Sequence, residues 1–158
     1  MTPGINSSLQ ITWLQDADII ALLANTPLCR SLFGQPELLI ELQQLLQSKP
    51  EHAQWYRPAC ISLGNQKIGA GGFKGPPISG GVELGYRVHP DYRLQGHATA
   101  LVRWLCDVAG QHSLSRVYAV TVTSNRASQS VLAGAGFVHT GDFLSDSQQW
   151  LQRWQHTL

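Results

Sequence analysis

One short turn, ahead of a long amphipathic helix, constrains the fold of this chain more than any other feature. Residues 82–88 alternate in the manner of a strand, and His89-Pro90-Asp91 ends that strand. After the turn RLQGHAT at residues 93–99, apolar residues recur at helical spacing over residues 98–109. The first N–H groups of a helix have no partner within it, and Gly96 lets a ligand approach the main chain closely. The segment therefore predicts a site for a phosphate, with a merely structural turn as the alternative.

The rest of the chain alternates helices with hairpins. Residues 9–13 alternate apolar with polar and predict a strand, and Asp16 is placed to cap the helix that follows. Pro36 begins an amphipathic helix that Pro50 closes. Further strands are predicted at residues 56–63, 66–73, 116–122, 137–143 and 148–154, with a short helix at residues 125–135. This order favours an α/β (α+β layered) sheet within a single domain spanning residues 1–158.

The composition indicates a globular protein with no general affinity for polyanions. Of the 158 residues, 43% are hydrophobic and 13% are charged, which excludes a disordered chain. The net charge of +1 gives no pull toward nucleic acid or an anionic membrane. Cys29, Cys60 and Cys106 form no CxxC pair, so we expect reduced, buried thiols and no metal site. With neither a signal-like N-terminus nor a membrane-spanning run, a cytoplasmic location is expected.

Two motifs, in a fixed order, resemble those of a known family. The turn at residues 93–98 matches the pattern [QR]xxGx[GA], and residues 124–143 give an Asn-x-x-Ser helix followed by Gly-Phe and a strand. With the strand ELGYRV, they make the chain resemble the GNAT superfamily of acyl-CoA-dependent N-acetyltransferases over roughly residues 60–144. Within it, the chain is most similar to the ribosomal-protein N-terminal acetyltransferase subgroup. The resemblance implies a mixed, mostly antiparallel central sheet, splayed after its fourth strand and flanked by about four helices.

The resemblance implies an enzyme that moves the acetyl group of acetyl-CoA to a primary amine, either a peptide N-terminus or a small molecule. The amine would attack directly in a ternary complex. The diphosphate would lie on the turn and the pantetheine arm along the preceding strand, where the N–H of Val88 would stabilise the developing oxyanion. The implied cofactor-binding residues are Tyr86, Arg87, Val88, Arg93, Leu94, Gln95, Gly96, His97, Ala98, Thr99, Asn125 and Ser128.

The resemblance also makes Ser128 and Glu83 the candidates for catalysis. The Ser128 hydroxyl would lie near the sulfur and supply or relay its proton, and Glu83 is the first candidate for the general base. Taken from the residues alone, Ser128 belongs to the first turn of a helix capped by Ser124 or Asn125, and Glu83 is a strand-surface carboxylate. His89 and His97 are weaker candidates for the base.

Other functions stay open at this point. A non-catalytic acyl-CoA-binding regulatory domain would keep the turn without a competent base, and an interaction module would bind no nucleotide at all. The expected partners are acetyl-CoA and an amine, with no nucleic acid and no membrane. The amine site is expected around residues 27–35 and 141–147, with a peptide N-terminus, a polyamine, an amino acid and an antibiotic amine all open as its occupant. A homodimer is expected from the resemblance and from Trp150 and Trp154 near the C-terminus.

Overall fold

The computed structural model describes residues 8–158, and the first seven residues of the predicted domain lie outside that range. Its strands and α-helices are β1 (Leu9–Trp13), α1 (Asp16–Leu23), α2 (Thr26–Phe33), α3 (Pro36–Ser48), α4 (Ala53–Tyr56), β2 (Ala59–Leu63), β3 (Gln66–Phe73), β4 (Gly81–Val88), α5 (His97–Gln111), β5 (Arg116–Val122), α6 (Arg126–Gly134), β6 (Val138–Leu144) and β7 (Trp150–Thr157). Short 3-10 turns occupy Pro50–His52 and Pro90–Tyr92.

The strands form one seven-stranded sheet in the order β1-β2-β3-β4-β5-β7-β6. Neighbouring strands are antiparallel except β4 and β5, which run parallel. Strands β4 and β5 can run parallel because α5, which connects them, returns the chain to the end of the sheet where β4 begins. The predicted fold, a mixed and mostly antiparallel sheet with flanking helices, is confirmed.

Six α-helices, rather than about four, flank the sheet in the part of the chain that the structure describes. The two additional helices are α2, whose N-cap Asn25 accepts from the N–H of Leu28 at 3.4 Å, and the single turn α4. The prediction of a strand from residue 56 is wrong at its start, because α4 runs to Tyr56 and β2 begins after Pro58. The predicted cap Asp16 is the first helical residue, and Gln15 is the N-cap.

The helices cover the two faces of the sheet and form two apolar clusters. Helices α1, α2 and α3 pack over Cys60 and Ala70 on one face, and α5 and α6 pack over β4 and β5 on the other. Trp154 belongs to the second cluster, where its Nε1–H donates to Thr121 Oγ1 at 3.2 Å, whereas Trp150 is 56% exposed. Trp154 is thus part of the chain's own core, which leaves Trp150 alone for a partner.

The cysteines are buried and unpaired, as predicted. Burial raises the pKa of the Cys106 thiol from 9.0 to about 12, with Asp107 adding to the effect. Over residues 8–158, every helix is too short or too polar to cross a bilayer.

Candidate active site

The sheet opens between β4 and β5, as the resemblance implied. These two strands pair only where residues 81–83 lie beside residues 116–118. Beyond that point β4 stays paired with β3 as far as Val88, and β5 stays paired with β7 over its whole length. The two strands therefore diverge, and a gap opens at the carboxyl end of β4.

Main-chain N–H and C=O groups of β4 that are not bonded to another strand point into this gap. At the two ends of the β3–β4 ladder, the N–H groups of Lys74 and His89 donate to the opposite strand at 2.8 and 2.7 Å. Because hydrogen bonds alternate along an antiparallel pair, the main-chain groups of Tyr86 and Val88 point away from β3. Those of Arg87 face β3, so only the side chain of Arg87 is free for a ligand. The N–H of Val88 therefore points into the gap.

The turn before α5 presents free N–H groups to the same region. Gly96 is the N-cap at a φ of +83°, and Leu94 also has a positive φ of 61°. Among the described residues, the N–H groups of residues 94–99 find no acceptor; the first bond of the helix runs from Ala100 N–H to the Gly96 carbonyl at 3.1 Å. A Cβ on Gly96 would meet no atom within 4 Å. Free amides, the helix dipole and open space together suit a phosphate.

A groove of about 820 Å³ joins this turn to β4 and α6. All the predicted cofactor-binding residues line it except Gln95. Arg93 also binds the chain itself, because its Nε–H donates to the Val88 carbonyl at 3.0 Å. Arg126, at the start of α6, lines the groove and was not predicted, although it directly follows the predicted residue Asn125. His97 Nε2 is buried in the groove wall with no hydrogen-bond partner among the described residues.

A hydroxyl pair bridges the gap between β4 and α6. Tyr86 Oη lies 2.6 Å from Ser128 Oγ, and either hydroxyl can donate in this pair; the Ser128 carbonyl, at 3.2 Å, is a second acceptor for the Tyr86 proton. Burial raises the pKa of Tyr86 above its ordinary value of 10.0, and the hydrogen bond with Ser128 lowers it by less. The Tyr86 hydroxyl therefore stays protonated at neutral pH and can donate a hydrogen bond. Sequence reasoning placed Tyr86 on the donor strand but missed this contact.

Asn125 holds the start of α6 in place. Its Oδ1 accepts from the N–H of Ser128 at 3.1 Å, so the capping role expected from the residues alone is present. Because the same residue lines the groove, the cap also fixes Ser128 at the groove wall.

A second cavity, of about 600 Å³, adjoins the groove at Tyr86, Arg87, Asn125 and Ser128. Its wall includes residues 32 and 33, inside the range predicted for an amine site, but nothing from residues 141–147. The wall also includes part of α3, which sequence reasoning had not assigned to a site. The signal was present in the sequence as the apolar spacing of Leu38, Leu42 and Leu45, with Glu41 on the same helical face.

The predicted bases are placed less favourably. The Glu83 carboxylate lies on the face of β4 opposite Tyr86, 3.7 Å from Lys74 Nζ, and lines neither cavity. His89 Nδ1 accepts from the N–H of Asp91 at 3.1 Å and also lines neither cavity. In the part of the chain that the structure describes, the carboxylate that lines the second cavity is Glu41.

A half-open sheet beside a helix that begins with free amides defines a class of α/β domain that binds an extended, phosphate-bearing ligand along one strand. The chain matches the family described as acetyltransferase (GNAT) domain over residues 9–138. It therefore belongs to the GNAT family of acetyltransferases, and its donor is acetyl-CoA. The free amides at residues 94–99, the open space beside Gly96 and the unpartnered His97 Nε2 fit the diphosphate and arm of that donor.

Solved structures agree in fold. A spermidine N-acetyltransferase from Vibrio cholerae, in complex with CoA and spermine, has a TM-score of 0.72 at 19% identity, with 96% of each chain covered. The ribosomal-protein-S5-alanine acetyltransferase from Vibrio fischeri has a TM-score of 0.72 at 17% identity, covering 94% of this chain and 92% of that one. A comparison with curated protein sequences gives no significant match. These two enzymes are named for different amine substrates, so similarity to both does not identify the acceptor of this chain.

Proposed function

We propose that this protein transfers the acetyl group of acetyl-CoA to a primary amine by direct attack in a ternary complex. One observation carries the proposal: the groove and the second cavity meet at the Tyr86–Ser128 hydroxyl pair, beside the unpaired N–H of Val88. A donor in the groove and an amine in the cavity would reach each other there without a covalent enzyme intermediate. Of the three cysteines, none lines either cavity.

The proposed binding roles follow from which polar groups are free. The N–H groups of residues 94–99, with Arg126, hold the diphosphate, and the main chain of Tyr86 and Val88 pairs with the pantetheine arm. The bound donor supplies a thioester: its carbonyl carbon bonds to the amine nitrogen, the C–S bond breaks, and the sulfur takes up a proton. Val88 N–H is directed to stabilise the charge that develops on the carbonyl oxygen.

Ser128 and Tyr86 are proposed to deliver the proton to sulfur. A serine hydroxyl alone is a weak acid. When Tyr86 donates its one hydroxyl proton to Ser128 Oγ rather than to the Ser128 carbonyl, the Ser128 proton is free to bond the thiolate. Such a contact strengthens as the C–S bond breaks, and it therefore raises turnover more than donor affinity. Ser128 is the proposed catalytic residue, and Tyr86 positions it.

Two carboxylates compete for the role of base that removes the amine proton. Glu83 is the candidate from sequence, but it is ion-paired with Lys74; Glu41 is exposed and lines the amine cavity. Glu83→Gln and Glu41→Gln separate them: loss of the acidic limb in the pH profile of kcat/KM identifies the base. If both variants keep that limb, neither carboxylate is the base.

The experiment that tests the function combines calorimetry with acetyl-CoA and a thiol-release assay on a panel of amines. Gly96→Glu is expected to abolish acetyl-CoA binding, because its side chain and charge occupy the proposed diphosphate site. Gly110→Glu adds the same charge at the other end of α5, where a Cβ also meets nothing within 4 Å, and is expected to bind normally. Gly96→Ala carries the backbone strain without the charge. Equal affinity in all three variants would contradict the phosphate site, and binding without turnover of any amine would favour a regulatory domain.

A further inference from the structure

Helix α3 uses only part of its apolar surface to hold the fold together. Leu39 is fully buried and Leu46 packs against the same cluster, beneath α1 and α2. Leu38, Leu42 and Leu45 instead line the second cavity, and Leu38 is 45% exposed. The helix therefore presents three leucines to a space that nothing in residues 8–158 fills.

Other residues of the cavity wall are also apolar. They include Phe33, Tyr56 and Phe73, together with Gly71 and Gly72, which add no polar side chain. Aromatic and aliphatic walls of this kind bury the carbon skeleton of a ligand, and a few polar groups then orient it. The polar end of the cavity is where it meets the groove, at Tyr86 and Ser128.

The charges around the cavity do not suit a polycation. Glu41 is the carboxylate in the described lining, and it is outnumbered by the cations of Lys74 and Arg87. Lys74 lies near Glu83, whereas Arg87 has no ion-pair or hydrogen-bond partner of its side chain in the described residues. A linear polyamine carries a positive charge every few carbons, so its distal amines would share the one carboxylate of Glu41 and would otherwise face leucines or the cations of Lys74 and Arg87.

We propose that the acceptor is a monoamine with a bulky apolar body, aliphatic or aromatic, which packs against the leucines of α3. The inference rests on the proposed function and specifies its substrate class. The amine end lies at the Tyr86–Ser128 junction, and the body extends along α3. An apolar N-terminal residue of a peptide and a free apolar amine share this chemistry.

The test measures kcat/KM in the thiol-release assay for 2-phenylethylamine, ethanolamine and spermidine, at fixed pH and saturating acetyl-CoA. 2-Phenylethylamine is expected to exceed both others at least tenfold. Phenylalanine amide and a tetrapeptide that begins with phenylalanine extend the panel; whichever is faster identifies the source of the apolar amine, and both are expected to exceed ethanolamine.

Two variants of α3 form a matched pair. Leu38 and Ile40 are 45% and 40% exposed on the same helix, but only Leu38 lines the cavity. Leu38→Asn is expected to raise the KM for 2-phenylethylamine about fivefold to tenfold, with acetyl-CoA affinity unchanged, because it removes one apolar contact. Ile40→Asn is expected to leave both quantities unchanged.

The outcomes separate this inference from the proposed function. Faster turnover of spermidine than of 2-phenylethylamine would overturn the substrate class and leave the acetyltransferase proposal intact. Tight binding of acetyl-CoA without turnover of any amine would overturn both. Sedimentation velocity of the wild type and of Leu38→Asn tests the alternative that a second copy of the chain packs against the leucines of α3. A wild-type dimer that Leu38→Asn dissociates would support that alternative and refute the inference.

Discussion

Replacement of Tyr86 by phenylalanine isolates the hydroxyl pair that bridges the open sheet. The change removes the oxygen that lies 2.6 Å from Ser128 Oγ and 3.2 Å from the Ser128 carbonyl, but it keeps the ring that packs on the core. A net hydrogen bond of this kind is worth about 1 kcal/mol, which corresponds to about a fivefold loss in kcat if the bond acts in the transition state. Acetyl-CoA affinity should change by less than about twofold, because the N–H groups of the turn are untouched.

A double-mutant cycle with Ser128→Ala tests whether Tyr86 works through Ser128. If it does, Tyr86→Phe has little further effect on kcat in the Ser128→Ala background, and the coupling recovers about 1 kcal/mol. Tyr118→Phe is the control, because that hydroxyl contacts Arg116 away from both cavities. Independent, additive losses of kcat in the double variant would refute the positioning role, as would a loss of stability with unchanged kcat.

The pKa of Tyr86 adds a second readout to the same variant. Because burial raises this pKa above 10.0, the folded state holds the phenolic proton where the unfolded state releases it. The resulting contribution to stability is present below about pH 10 and is lost as the pH rises above it. Urea titrations at pH 8 and pH 10.5 should therefore show a smaller fall in the free energy of unfolding for Tyr86→Phe than for the wild type.

Three further predictions concern glycines and a thiol. Gly96→Ala should lower the free energy of unfolding by about 1–2 kcal/mol, because Gly96 has a φ of +83°. Gly110 lies in the helix, so Gly110→Ala should raise the free energy of unfolding by up to about 1 kcal/mol. Thermal melts that shift in the same direction for both variants would contradict this pair of predictions. Gly71→Ala places a Cβ 2.6 Å from a carbonyl oxygen of β4 and should lower the free energy of unfolding by about 1–3 kcal/mol. In Gly72→Ala the nearest atoms lie 3.5 Å from the new Cβ, so the decrease should be less than about 1 kcal/mol. Equal decreases in urea titrations would show that β4 shifts to accept the Gly71→Ala methyl group. Cys106, with its pKa at about 12, should resist iodoacetamide at pH 8 until the protein is unfolded, and mass spectrometry showing labelling of the native protein would contradict this. The free energy of unfolding should also fall as the pH rises above about 9, because the thiol ionises at lower pH in the unfolded state than in the folded state.

Local patterns predicted the elements whose signals lie within a few residues. The apolar stripe after Gly96 predicted α5, and Pro36 marked the start of α3. The turn α4 escaped prediction because four residues without a cap or a repeat carry no helical signal, and only the structure shows Trp55 packed against Phe73 there.

Contacts between distant segments set the limit of sequence reasoning at the site. Tyr86 and Ser128 lie 42 residues apart, and each has an adequate local explanation, as a strand residue and as a first-turn residue of a helix. Nothing in either pattern says that the two hydroxyls meet. Similarly, the period of the α3 leucines predicts an apolar face but cannot tell whether a core or a cavity receives it, because both demand the same residues.

The gap in the sheet joins stability and function in one feature. Buried N–H and C=O groups that lose a strand partner must find another, and an open strand edge also invites wrong pairing. Here Arg93 satisfies the Val88 carbonyl, while the Tyr86 side chain, rather than its main chain, bridges to α6. The N–H groups of Tyr86 and Val88 are left to water or to a ligand, so a donor that pairs with them also completes the sheet. Binding of acetyl-CoA should therefore protect the amides of β4 from hydrogen exchange more than those of β2, since β2 is already paired on both sides.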